Sequence, residues 1–118
     1  MKGGRSGPAS RERVTDWPTY LLTEIPADLR AAISADSANR ELAVADVVRE
    51  ILCKRFRLHC PPDPSTYVPG RDTGAKTLLL RLPPKLTRWL SREANARRKA
   101  KRALILEILE AHYRKGES

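Results

Sequence analysis

The clearest pattern of apolar and polar positions lies in residues 76–115. Residues 76–82 alternate with a period of two, which is typical of a strand with one buried face. The residues on its apolar face are Leu78, Leu80 and Leu82. Pro83-Pro84 then favours entry into a helix, because proline fixes φ and needs no donor in the first turn. Two apolar sets follow at helical spacing: Leu86, Trp89 and Leu90, then Leu104, Ile105, Ile108, Leu109 and Tyr113. The pattern predicts a strand followed by two helices.

The same plan occurs earlier in the chain. A shift of 57 positions lays residues 19–58 over residues 76–115 without a gap, across both the strand and the helix cores. The identical pairs are Leu21/Leu78, Leu22/Leu79, Pro26/Pro83, Leu29/Leu86, Ser34/Ser91, Arg40/Arg97, Ala43/Ala100, Glu50/Glu107, Ile51/Ile108, Leu52/Leu109 and Arg57/Arg114. The chain therefore contains two copies of a strand–helix–helix unit. We call residues 19–58 unit 1 and residues 76–115 unit 2.

This unit resembles the ribbon-helix-helix family of DNA-binding proteins, the class of the Arc and MetJ repressors. The resemblance rests on a short strand ending in Leu-Pro or Ile-Pro, a helix, a short turn and a longer helix, and it covers both units. In that family two strands pair as an antiparallel ribbon whose outer face enters the major groove, and the start of each second helix holds phosphate. The resemblance implies a mainly α fold with a two-stranded antiparallel β-ribbon, in which the two repeats form an intramolecular pseudo-dimer.

The outer faces of the two strands define the candidate base contacts. In unit 2 this face consists of Thr77, Leu79 and Arg81, and in unit 1 of Tyr20, Leu22 and Glu24, with Leu21, Thr23 and Ile25 on the inner face. We expect Leu22 to lie beside Leu79, Glu24 near Thr77, and Arg81 near Tyr20. Arg81 can bind guanine with two hydrogen bonds, and the leucines can contact thymine methyl groups. This face is less polar than the family usually shows, so a ribbon used for protein contact is the alternative.

Charge separates the two units. The chain carries a net charge of +9 and has a sequence pI of about 10.2, which favours a polyanionic partner such as nucleic acid. Unit 1 holds six cations and six anions, whereas unit 2 holds twelve cations and three anions. Five of the cations of unit 2 cluster just before and at the start of the second helix, where the resemblance implies phosphate binding. The candidate phosphate contacts are Lys76, Arg97, Arg98, Lys99, Lys101 and Arg102.

The helices of unit 1 are predicted over residues 27–38 and 42–57. Asn39 is expected to take the left-handed conformation that ends the first helix. The second helices follow Ala43 and Ala100, so neither has a side chain that can cap it. The backbone N–H groups of these helix starts are then available for phosphate.

Leu42 and Val44 occupy the region of unit 1 where unit 2 has its cations. We expect both side chains to be exposed. An exposed apolar pair at a helix start favours contact with a second chain or with a protein partner.

Composition marks the segments outside the two units. Residues 1–18 are rich in Gly, Ser and Arg and predict a flexible basic arm, for which a solvated tail is favoured over contact with DNA. Residues 59–75 form a Pro-rich linker. It is long enough to carry the chain from unit 1 to the strand of unit 2, and it equally permits exchange between two chains. Residues 116–118 form a short tail.

The sequence offers little for catalysis or for a cofactor. Cys53, His59 and Cys60 supply only three of the four ligands of a structural zinc site, and no nucleophile motif or phosphate-binding glycine loop occurs. We expect no enzyme activity, no cofactor and no metal. No apolar run is long enough to span a membrane and no signal-peptide core follows Met1. The expected location is the cytoplasm, in association with the nucleoid.

Two functions follow from these patterns. The first is a sequence-specific protein for double-stranded DNA, with transcriptional regulation, as a repressor, as what the resemblance implies. The second is a protein-interaction adaptor, or an antitoxin-type or plasmid-partition-type module, whose contact with DNA is mainly electrostatic. The sequence does not choose between a repressor, an antitoxin and a partition protein.

Overall fold

The computed structural model describes residues 17–61 and 64–116. Unit 1 contains β1 (Thr19–Leu22), α1 (Ala27–Arg40) and α2 (Val44–Arg55). Unit 2 contains β2 (Leu78–Arg81), α3 (Pro84–Ala96) and α4 (Lys101–Gly116), and a single 3-10 turn, Pro64–Thr66, lies in the linker. Across these two ranges the fold is mainly helical, with four α-helices and one two-stranded antiparallel sheet, as predicted. The predicted arm lies outside the described residues except for Trp17 and Pro18, and the tail except for Gly116.

The two strands pair with each other across the linker. The register is Thr19 opposite Arg81, Tyr20 opposite Leu80, Leu21 opposite Leu79, and Leu22 opposite Leu78. Two backbone hydrogen bonds extend the pairing: the Ile25 N–H donates to the Lys76 carbonyl at 3.0 Å, and the Leu82 N–H donates to the Pro18 carbonyl at 3.1 Å. The ribbon therefore joins the two units into one folded body.

The predicted faces are confirmed for β2 and wrong for β1. Leu22 is completely buried and Leu21 is 54% exposed, so Leu22 points into the core and cannot contact a partner. Leu79 accordingly pairs with Leu21, and Arg81 pairs with Thr19. Because side chains alternate along a strand, an error of one residue reverses every assignment.

Glu24 is the physical reason for this shift. Two residues separate the buried Leu22 from the buried Ile25, whereas one residue separates Leu80 from Leu82. Glu24 adopts a φ of 54°, a left-handed conformation that takes up the extra residue before the chain enters α1. The strands of the two units therefore match at a shift of 58 positions, and the helices match at 57.

With this one-residue correction, the two strands have the same burial pattern. Thr19 and Thr77 are exposed, as are Leu21 and Leu79, while Leu22 and Leu80 are buried. The remaining equivalent pairs, which are half-buried in both strands, are Tyr20 with Leu78 and Thr23 with Arg81. The repeat seen in the sequence thus extends to the environment of each strand residue.

A single apolar core lies beneath the ribbon and between the helices. Both units contribute to it from equivalent positions of their second helices, at spacings that put one stripe of each helix inward. These positions are Val47, Val48, Ile51 and Leu52 in α2 and Leu104, Ile105, Ile108 and Leu109 in α4. Because the core draws on both units, neither unit buries its apolar stripe alone.

The turn between α1 and α2 differs from the prediction. The helix does not end at Asn39 but continues to Arg40, and Glu41 takes the left-handed conformation, with a φ of 55°. The Leu42 N–H donates to the Ser37 carbonyl at 3.1 Å, a hydrogen bond typical of a Schellman motif, in which the following residue packs on the helix. Leu42 is consequently only 5% exposed, and Val44 is half-buried against the core. The expectation that these two residues form an exposed pair is wrong, and the partner contact inferred from it has lost its basis.

The linker is held against α1 by a buried arginine. Arg30, which is 4% exposed, donates from Nε to the Ala75 carbonyl at 2.6 Å and from Nη2 to Asp72 at 2.5 Å. Asp72 also accepts hydrogen bonds from the Ser34 hydroxyl (2.6 Å) and the Gly74 N–H (2.9 Å). Burial alone would raise the pKa of Asp72, but these hydrogen bonds and the Arg30 charge outweigh it and lower the pKa to about 2. The final part of the linker is therefore fixed before it enters β2.

The reversed face of β1 can be tested with two neighbouring substitutions. Leu22→Ala should lower the free energy of unfolding by about 2–5 kcal/mol, because it opens a cavity in the core. Leu21→Ala, the matched control, should change it by less than about 0.5 kcal/mol, as expected for an exposed site. Urea unfolding followed by circular dichroism measures both. The opposite order of effects would restore the face predicted from the sequence.

The Asp72 contacts make stability depend on pH in a defined direction. The pKa is lowered in the folded state, so the stabilisation is complete above the ordinary carboxyl pKa and disappears as the pH falls through about 2. Asp72 is partly exposed, so solvent screening reduces the effect: Asp72→Asn should be less stable than the wild type by about 1 kcal/mol above pH 5, and the difference should close as the pH falls below about 2. Urea unfolding across this range is the measurement. Glu24→Gln, which changes a carboxylate that is 80% exposed, should show a much smaller difference.

Candidate nucleic-acid interface

The outward face of the ribbon is the first part of the candidate site. It presents Thr19 and Leu21 from β1 and Leu79 from β2, with Thr77 just before β2 and the half-buried Arg81 at its end. The predicted contacts Thr77, Leu79 and Arg81 are thus on this face. The predicted contacts Leu22 and Tyr20 are not, because their side chains belong to the inner face of β1.

Thr19 and Leu21 are outward residues that the ungapped repeat failed to identify. A signal for them was present in the sequence. A shift of 58 positions within the strand aligns Thr19 with Thr77, Leu21 with Leu79 and Leu22 with Leu80, all identical. Allowing one inserted residue between strand and helix would have selected this alignment.

The start of α4 lies beside β1. The Lys101 ammonium group is 5.6 Å from the centre of the Tyr20 ring, a cation–π contact, and the Arg102 guanidinium is 3.8 Å from the Glu24 carboxylate. Burial raises the pKa of Tyr20, and the charge of Arg102 opposes this shift. These contacts bring two predicted phosphate contacts, Lys101 and Arg102, to the edge of the ribbon.

The second helices follow Ala43 and Ala100, whose side chains cannot cap them. At α2 the Ala43 carbonyl accepts the first helical hydrogen bond from the Val47 N–H at 3.0 Å, and no side chain caps the helix. The Ala100 carbonyl accepts the equivalent bond from Leu104 at 3.1 Å. The first N–H groups of such a helix start have no partner in the helix and suit an anion.

Besides Arg102, two of the clustered cations form close ion pairs around the turn between α3 and α4. Arg97 contacts Glu93 at 3.1 Å and Glu107 at 2.7 Å, and the Lys99 ammonium group donates to Glu107 at 2.9 Å. The hydrogen bond from Lys99, together with the charges of Lys99 and Arg97, lowers the pKa of the Glu107 carboxyl. Arg97 and Lys99 therefore have internal partners that compete with a phosphate.

Unit 1 contains the same arrangement around Arg40, the counterpart of Arg97. Arg40 contacts Glu50 at 2.5 Å and Asp36 at 3.9 Å, just as Arg97 contacts Glu107 and Glu93. Because the arrangement recurs where unit 1 has no cation cluster, its role in both units is to hold the turn between the helices. The identities Arg40/Arg97 and Glu50/Glu107 were the sequence signal for it.

The candidate phosphate contacts outside this ion-pair arrangement are the exposed Arg98 and Lys76 and the half-buried Lys101 and Arg102. Arg98 is exposed in the left-handed conformation, with a φ of 54°, at the position that Glu41 holds in unit 1. The two units therefore place opposite charges at equivalent turns. A polyanion would be attracted to Arg98 at the turn of unit 2 and repelled by Glu41 at the turn of unit 1, while Glu24, which lies beside Arg102, opposes part of the attraction at the α4 start.

A buried ion pair supports the end of β2. Arg49 donates to Asp46, one turn earlier in α2, and also to the Arg81 carbonyl at 3.4 Å. The Trp17 ring lies 5.6 Å from the Arg49 guanidinium, and the Thr66 hydroxyl donates to Asp46 at 3.3 Å. Sequence reasoning missed this pair because both charges lie on the side of α2 away from its apolar stripe, where a solvated face is expected, and only the fold brings Trp17 and Thr66 over them.

The exposed side of α3 carries a second group of cations that sequence reasoning also missed. Lys85, Arg88 and Arg92 are exposed and lie three and four residues apart, which places them along one side of the helix. Lys85 lies 5.5 Å from the Trp89 ring. Their counterparts in unit 1 are Asp28, Ala31 and Ala35, so this charge also belongs to unit 2 alone.

No protein-family model, curated protein or solved structure matches the chain. Within residues 17–61 and 64–116, no helix is long and apolar enough to cross a membrane. No group of three or more potential metal ligands comes together in that part of the chain.

Proposed function

We propose that the chain is a ribbon-helix-helix protein in which the two repeats of one chain form a complete DNA-binding pseudo-dimer. The observation that carries this proposal is the antiparallel pairing of β1 with β2, with matching burial at every equivalent strand position. An approximate twofold axis through the Leu21–Leu79 pair relates two strands that each lead into two helices. In the ribbon-helix-helix family this arrangement comes from two chains.

The proposed ligand is double-stranded DNA, read in the major groove by the outward face of the ribbon. Arg81 and the threonines Thr19 and Thr77 carry groups that can bond base edges, and a two-stranded ribbon fits the width of the major groove. The revised set of base contacts replaces Tyr20, Leu22 and Glu24 with Thr19 and Leu21. Regulation of transcription, as a repressor, is the role that this recognition would serve.

The phosphate contacts are proposed to be one-sided. Arg98, Lys101 and Arg102 lie at the α4 start, and the exposed Lys76 lies just before β2, whereas the α2 start of unit 1 has Glu41 and no lysine or arginine among its first residues. Phosphates carry no sequence information. These cations would therefore set the affinity for DNA and the position of the protein on the duplex, while the ribbon sets the preference for a base sequence. A DNA site bound in this way has no reason to be palindromic.

The second candidate function is a protein-interaction adaptor. The observation that favours it is the exposure of Leu21 and Leu79 on the ribbon, since apolar residues on a ribbon also suit protein contact. Selection of bound duplexes from random DNA at near-physiological salt separates the two functions. An enriched motif supports the regulator, whereas binding without sequence preference supports the adaptor.

The α4 start can be tested by removing two charges. Lys101→Gln with Arg102→Gln should weaken binding to all duplexes alike, because these residues are proposed to contact phosphate. The slope of log affinity against log salt should fall by about two, one for each lost phosphate contact. Fluorescence anisotropy at several salt concentrations measures both.

The matched control removes the same charge at the far ends of the two second helices. Lys54→Gln with Arg114→Gln changes residues about 15–20 Å along the helix axes from the helix starts. This variant should keep nearly the wild-type salt slope. If both double variants reduce the slope equally, the net charge alone governs binding and the α4 start has no special role.

A further inference from the structure

The centre of the ribbon exposes two leucines that the fold does not use. Among the described residues, the large hydrophobic side chains that remain about half exposed are Leu21, Val68 and Leu79. Val68 lies in the linker, whereas Leu21 (54% exposed) and Leu79 (55%) are directly opposite each other in the strand register. Two equally exposed leucines at paired positions form a small apolar patch on the proposed recognition face.

Polar residues surround this patch. Thr19 and Arg81 form the next outward pair on one side, and Thr77 lies on the other. The apolar area that two half-exposed leucines present is far smaller than the roughly 800 Å² that each partner contributes to a stable protein interface. The patch instead has the size of a contact with one or two small apolar groups.

The thymine methyl group is the apolar group that bases present in the major groove. The remaining major-groove edges of the four bases are hydrogen-bond donors and acceptors, which a leucine would strip of water without offering a partner. Side chains at directly opposite strand positions start about 5 Å apart, and neighbouring base pairs are about 3.4 Å apart along the duplex axis, so two flexible leucine side chains can reach two adjacent base pairs. The twofold relation of the two leucines then pairs them with thymines on opposite DNA strands.

We propose that Leu21 and Leu79 select thymine, an inference that rests on the proposed function. Each leucine contacts the C5-methyl group of one thymine, and the two thymines belong to adjacent A·T pairs at the centre of the bound duplex. The two leucines are thus specificity-determining residues, and the preferred duplex has an A·T centre. Arg81 adds a polar preference to one side of this centre only, since its counterpart in unit 1 is Thr23.

Deoxyuridine tests the contact directly, because it differs from thymidine only by the missing methyl group. A duplex enriched from the random pool is synthesised with thymidine throughout and with deoxyuridine at each thymine position in turn. Deoxyuridine at either central position should weaken binding about fourfold, and at both positions about fifteenfold, as follows from about 0.8 kcal/mol per buried carbon. Deoxyuridine at the other positions should change affinity by less than about twofold.

Leu21→Ala and Leu79→Ala connect the effect to the two residues. Each variant should become insensitive to deoxyuridine at one central position and keep its sensitivity at the other. Both side chains are exposed, so thermal unfolding should match the wild type, and both variants should keep the wild-type salt slope.

The outcomes separate this inference from the proposed function. If an enriched duplex binds equally well with thymidine and deoxyuridine, or if the alanine variants keep both sensitivities, the leucines do not read thymine and the inference fails while duplex recognition stands. If alanine at either position changes the mass of the protein in solution, the patch is a protein contact and the inference fails. If no duplex is bound at all, the proposed function fails and the inference fails with it.

Discussion

A four-residue strand cannot exist alone, and this constraint governs the structure. The N–H and C=O groups of β1 need a partner strand, and the partner is β2, more than fifty residues later in the chain. Once the strands pair, their inward leucines close the top of the core and the helices of both units pack beneath them. The same pairing brings the start of α4 to Tyr20 and Glu24, so the composition of the candidate site also depends on it.

The elements and their order could be predicted from the sequence because they depend on periodicity. Apolar residues at spacings of two and of three to four specify a strand and two helices in each unit, and the repeat reinforces both. The face of β1 could not be predicted in the same way. It depends on one inserted residue, Glu24, whose left-handed conformation leaves no mark in an ungapped alignment. The same limit applies to Leu42, since the turn that buries it is closed by backbone hydrogen bonds and not by a recognisable residue type.

The candidate site was predicted more accurately in position than in composition. The cations of unit 2 do lie around the turn and start of α4, but a count of charges cannot show which residue each of them meets in the fold. Arg97 and Lys99 bind Glu107, a residue ten and eight positions away that only the folded turn brings near. Likewise, the basic side of α3 and the buried Asp46–Arg49 pair were hidden because each requires knowledge of which helix face is covered.

The linker that Arg30 anchors has a consequence for how the two halves can change over time. In a dimer of identical chains, any substitution alters both halves at once, and the halves separate on dilution. Here the strands are tethered, so their pairing is a unimolecular event that does not depend on protein concentration. Each half is also free to acquire its own residues. The neutral unit 1 and the strongly basic unit 2 are an asymmetry that such freedom permits and that a dimer of identical chains cannot have.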